Sequence, residues 1–150
     1  MQLTNNERSP YTDVVKLTAA DLIAIGNGGT RQIASIPAGG GVELCAAINS
    51  VDIVGSSSLV IDVGTTLADP DEFIDALNVS VMTVGLPTFN TGEAMLQSAG
   101  NTTILAGCRP AKLVSAATPI YIKVTDAAVA SITAGEIIIG IRILDLLKFA

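Results

Sequence analysis

Five carboxylates stand within fourteen positions of this 150-residue chain: Asp62, Asp69, Asp71, Glu72 and Asp75, all inside the stretch 59–77, LVIDVGTTLADPDEFIDAL. Clustered oxygen ligands suit a hard cation, and paired carboxylates can hydrolyse glycosides when a sugar fits between them. Neither chemistry matches this spacing. Counted from Asp69, the glycine and glutamate that a Ca²⁺-binding EF-hand needs at its sixth and twelfth positions are Ile74 and Ser80. The acids from Asp69 to Asp75 are too close in sequence to line opposite walls of a cleft. Asp52 and Asp62 could face one another from neighbouring strands, but the chain has little with which to build a polar or aromatic cleft around them. An irregular structural Ca²⁺ site is the alternative left open.

Other chemistry is missing by residue type. There is no histidine, hence no usual general base, no commonest metal ligand and no Ser-His or Cys-His pair. There is no tryptophan for stacking on sugars. The glycine clusters Gly26-Asn27-Gly28-Gly29 and Gly39-Gly40-Gly41 lack both the GxxxxGK[ST] and the GxGxxG spacing, so they read as turns. Cys45 and Cys108 are 63 residues apart with no CxxC motif, and read as buried thiols, with a disulfide as the alternative. The expectation is a protein that is not an enzyme, with no catalytic, cofactor-binding or metal-ligating residues.

The acidic stretch has a structural explanation. Leu59, Ile61 and Val63 alternate with Val60 and Asp62 as in a β-strand, which Gly64-Thr65-Thr66 ends. Asp69 then suits a helix N-cap and Pro70 the first helical position, with Asp71 and Glu72 in the first turn at the positive end of the dipole. Phe73, Ile74 and Leu77 would form the apolar stripe of a short helix. A second short helix follows Thr18, where Thr18-Ala19-Ala20-Asp21 reads as a capping box. Gly26–Gly29 halts it.

Elsewhere the pattern is of strands: 13–17, 30–36, 42–53, 79–84, 102–106, 111–114, 119–125 and 136–144. The parity of apolar residues switches at Asn49-Ser50, which predicts a bulge or a bend between sheets. In the last strand Ile137, Ile139, Ile141 and Ile143 share one face, while Glu136, Ile138, Gly140, Arg142 and Leu144 make a mixed face that implies partial cover. Gly85–Gly92 reads as a loop and Thr133-Ala134-Gly135 as a turn. The fold class expected is mainly β, an antiparallel sandwich or jelly-roll-like barrel with two short connecting helices. Residues 1–12 read as a polar N-terminal arm and 13–150 as a single β-domain.

Charged residues make up 15% of the chain, against about 25% in ordinary domains. The apolar fraction is 49%, mean hydropathy is +0.57 and aromatics supply only 3%. A monomer so poor in charge would leave aliphatic surface uncovered, so an assembly is expected. Net charge is −6 with a pI near 4.3 and the basic residues are scattered, which argues against nucleic acid. No apolar run reaches the roughly 20 residues of a membrane helix. The polar N-terminus lacks the apolar core of a signal peptide.

The order of several turn and cap segments resembles the small head decoration, or cement, proteins of tailed bacteriophages, particularly of marine and cyanobacterial phages. These segments are Ile36-Pro37-Ala38-Gly39, Asp62-Val63-Gly64-Thr65-Thr66, Asp69-Pro70-Asp71-Glu72-Phe73 and Thr133-Ala134-Gly135-Glu136. The resemblance implies a jelly-roll-like domain, a homotrimer, seated on the outer surface of the virion capsid with the major capsid protein as partner. It implies no nucleic acid, no membrane and no enzymatic role. The arm, residues 1–12, would lie over the capsid or a neighbouring subunit. The alternative is a phage fibre or receptor-binding module for a host surface glycan or protein, with Tyr11, Phe89 and Tyr121 as its contact residues. A bacterial carbohydrate-binding or adhesion domain is a third reading, disfavoured by the missing tryptophan.

Overall fold

The computed structural model describes residues 11–89 and 112–145. Eight strands build it: β1 (Asp13–Thr18), β2 (Gly29–Ile36), β3 (Gly40–Val54), β4 (Val60–Gly64), β5 (Ile74–Asn78), β6 (Thr88–Phe89), β7 (Thr118–Thr125) and β8 (Ala134–Asp145). One helix, α1 (Ala19–Ile25), joins β1 to β2. The strands form two four-stranded sheets, β1-β8-β3-β6 and β2-β7-β4-β5, antiparallel throughout. First pairs with last, second with seventh, third with sixth and fourth with fifth. A long hairpin folded over on itself gives this nesting, and it defines the eight-stranded jelly roll. The expected sandwich is therefore present, with its topology now assigned.

The alternating aliphatics form the core. Ile137, Ile139 and Ile141 of β8 and Cys45 and Ala47 of β3 are fully buried, as are Ile120, Ile122 and Val124 of β7 and Ile61 and Val63 of β4. Phe73, Leu22, Ile36 and Leu59 join the same cluster from the connections and strand ends. The long strand stays in one sheet. Its parity switch is a register shift between Asn49 and Val51 against β8, so the bulge reading holds. The mixed face of β8 is covered as its pattern implied: the Tyr11 ring packs on Gly140, where an added Cβ would strike it.

α1 carries the expected capping box. The Thr18 hydroxyl oxygen accepts from the Asp21 N–H, and the Asp21 carboxylate accepts from the Thr18 N–H at 3.0 Å. The second helix is not there. Residues 65–73 form an irregular loop and 74–78 are strand β5. Partners on β4 decide this: the Phe73 N–H donates to the Val63 carbonyl (2.8 Å) and the Ala76 N–H to the Asp62 carboxylate (2.7 Å). Burial of Phe73 and Ile74 between the sheets adds to it.

Four further expectations are corrected. Val79–Val81 is a 3₁₀ turn and the chain to Val84 is not a strand. Asn78 caps that turn through the Ser80 N–H, while the Asn49 amide donates to the Val79 carbonyl. Residues 112–114 are not a strand, although Val114 exchanges backbone bonds with Gly39 and Gly40. Ala134 and Gly135 begin β8, so the turn closes two residues earlier than expected, and within the expected 85–92 loop Thr88–Phe89 adds a short edge strand. The expected strand 102–106 and residues 1–10 of the arm lie outside the described residues.

Candidate functional site

The acidic stretch does not converge. Glu72 turns back onto the turn that follows β4: its carboxylate accepts from the Thr65 N–H (2.7 Å) and from the hydroxyls of Thr65 and Thr66 (both 2.8 Å). Lys112 reaches the same carboxylate at 3.4 Å. Burial opposes ionisation of Glu72, but the hydrogen bonds from Thr66 and Thr65 outweigh it and bring its pKa down to about 2. Asp69 instead pairs with Lys123 of β7 at 3.0 Å, and this contact raises the lysine's pKa. Asp62 is largely buried beside that lysine; burial raises its pKa against the pull of the Ala76 N–H and Lys123. Asp75 is exposed and Asp71 half-buried. Among the described residues no group of three or more His, Cys, Asp or Glu is placed to hold a metal ion. The cluster is a set of struts. Asp52 lies on β3 and Asp62 on β4, in different sheets, so they are not a facing pair.

The antiparallel roll gathers its connections at two ends. One end holds the β2–β3 turn, the acidic β4–β5 loop, residues 112–117, and the adjoining start of β1 and finish of β8. An open depression there is lined by Thr12, Asp13, Ser35, Pro37, Ile143 and Asp145. The other end holds the α1 connection (19–28), the turn 55–59, the segment 79–87 and the connection 126–133. These four are laced together. The Asp126 carboxylate accepts from the Ser58 hydroxyl (3.2 Å) and the Ala128 N–H (2.9 Å), and its own N–H donates to Asn27 (3.0 Å). The Leu59 N–H donates to the Ser80 hydroxyl (3.1 Å), and the Gly85 N–H to the Asn49 carbonyl (2.8 Å). Gly55, at φ +100°, sits against the Ser131 carbonyl with no room for a side chain.

Asp126 and Asn49 hold this end together, while Tyr11 covers Gly140 on the outer face of β8, and the sequence pattern marks none of the three for these roles. Only Asn49, a lone amide in an aliphatic run, left a signal. Burial opposes ionisation of Asp126, yet hydrogen bonds from Ser56, Ala128 and Ser58 lower its pKa. Burial pushes the Cys45 thiol up to about 12, which holds it in the unreactive protonated form. Cys108 lies outside the described residues. The three aromatics of the receptor-binding alternative are dispersed: Tyr11 on the outer face of β8, Phe89 on β6 in that same sheet and Tyr121 on β7 in the other.

Fold and topology place the chain among the eight-stranded jelly rolls, a class used by viral capsid proteins, lectins and cupins alike. No protein-family model matches the chain, and no curated protein matches it. Among solved structures it is similar to a chain described as "Cyanophage Pam1 capsid asymmetric unit", with a TM-score of 0.53 and 15% sequence identity. The likeness covers 86% of this chain and 78% of that one. At that identity it establishes a shared fold.

Proposed function

We propose that this chain is a non-enzymatic decoration protein of a bacteriophage head. In this reading it binds the outer surface of the assembled shell, as a homotrimer, with the major capsid protein as its partner. The observation that carries the reading is a jelly roll similar over 86% of its length to a cyanophage capsid chain. The short supply of charge supports it, since surface left apolar in a monomer is covered in an assembly. So does the role of the carboxylates, which are spent on backbone and lysine partners within the fold. The mechanism is mass action. A protein that binds the lattice and not its dispersed subunits stabilises the lattice by RT ln(1 + [L]/Kd) per site, and joined copies add avidity.

Purified chain mixed with empty expanded phage heads should co-sediment with them in a saturable manner. Chain that stays in the supernatant yet binds host cells overturns the reading in favour of a receptor-binding module.

A further inference from the structure

Among the described residues, charge is distributed very unevenly between the two ends of the roll. Around the acidic β4–β5 loop stand Asp69, Asp71, Glu72 and Lys112, and Asp13 and Asp145 line the depression at the same end of the roll. The four connections at the opposite end contain only two charged residues. Asp21 is paired with Arg31 at 2.8 Å, and Asp126 is buried. On the rim, Lys16 pairs with Glu136, and Asp52 is exposed. The surface between them is aliphatic. Ile23, Val54, Val81, Val84 and Leu86 are all exposed there, Val81 at 72% and Leu86 at 61%. The stretch Val79–Phe89 has no charged residue.

We infer that this neutral end is the surface through which copies of the chain join one another. The occupant follows from charge and area. Each copy carries a net charge of −6, so contact through acidic ends is opposed by like-charge repulsion, whereas the neutral end brings apolar surface together with little of it. The five exposed aliphatics have Met82, Pro87 and exposed Ala127, Ala128 and Ala130 beside them, ten apolar residues in all. A stable interface uses about 800 Å², or about 20–30 residues, per partner, a little over half of it apolar, so this surface is of the right order. The lacing through Asp126, Ser58, Ser80 and Asn49 holds it in one shape before contact, which lowers the ordering cost of association. The inference rests on the self-association proposed above.

Light scattering after size exclusion, over a range of concentrations, tests it. The unaltered chain should run as a multiple of 15.3 kDa. The pair Val81→Glu and Leu86→Glu should weaken association by about a hundredfold, a charge buried in such a contact being unpaired. The control pair Leu67→Glu and Leu113→Glu, at the acidic end, should leave the mass unchanged. Circular dichroism must show both variants folded; if the double variant unfolds, Val81→Ser with Leu86→Ser takes its place. A monomeric parent chain overturns the inference, and so does a double variant of parental mass. Parental mass combined with lost binding to heads also overturns it, because the end would then face the capsid. A parent chain that associates through this end but never sediments with heads removes the capsid reading and leaves the interface standing.

Discussion

Glu72 shows how a carboxylate can serve a turn instead of a ligand. Its pKa falls from the ordinary 4.5 to about 2 because the folded state favours the charged form. A group with a lowered folded pKa stabilises above its unfolded value and loses that stabilisation as pH falls towards the folded one. Glu72→Gln should therefore cost about 2 kcal/mol at pH 7, in line with the loss of hydrogen bonds to a charged group. In urea unfolding the gap between parent and variant should hold down to about pH 4.5 and close near pH 2. A gap that is constant with pH would show that the carboxylate's charge contributes nothing there. Gly64 presses on the same contact, since an added Cβ would overlap the Glu72 carboxylate and approach its backbone nitrogen. Gly64→Ala should cost at least about 2 kcal/mol, measured as a shift in the urea midpoint at an unchanged slope. The sequence displayed these acids plainly but not their partners, because Thr65 and Lys112 lie 7 and 40 positions from Glu72.

Elements were legible wherever the side chains alone decide the conformation. Period-two aliphatics in β7 and β8 mark strands with one buried face, and Thr18 with Asp21 satisfies the first backbone N–H groups of α1 without outside help. The stretch 69–77 carried equally good local signals for a helix and became loop and strand. Its backbone donors are claimed by Val63 and by the Asp62 side chain, contacts that local propensity cannot see. The 3₁₀ turn at Val79–Val81 is likewise settled from a distance, by Asn49. Two substitutions separate these cases. Thr18→Ala should cost about 1 kcal/mol, confined to the cap. Ile139→Ala, at a fully buried site between the sheets, should cost about 2–5 kcal/mol. Both are read from chemical denaturation, and a smaller loss for the isoleucine than for the cap would contradict the core described here.

At the scale of the whole molecule, the described residues form a jelly roll with a charged end and a neutral end, and the decoration role proposed above would be read as a change in another object's stability. Heads incubated with increasing amounts of the chain should melt at progressively higher temperature in scanning calorimetry, as linkage requires. An unmoved transition at saturating chain would contradict the cement role even if binding occurs. β8 is bonded on one side to β1 and on the other to β3, so the first-made strand and the central long strand both wait for residues 134–145. A nascent chain still lacking that stretch exposes two hydrogen-bonding edges and an aliphatic face at once. Folding of this sheet is therefore deferred until synthesis of β8 is complete, slowed by the wide sequence separation of its pairs and open to aggregation in the interval.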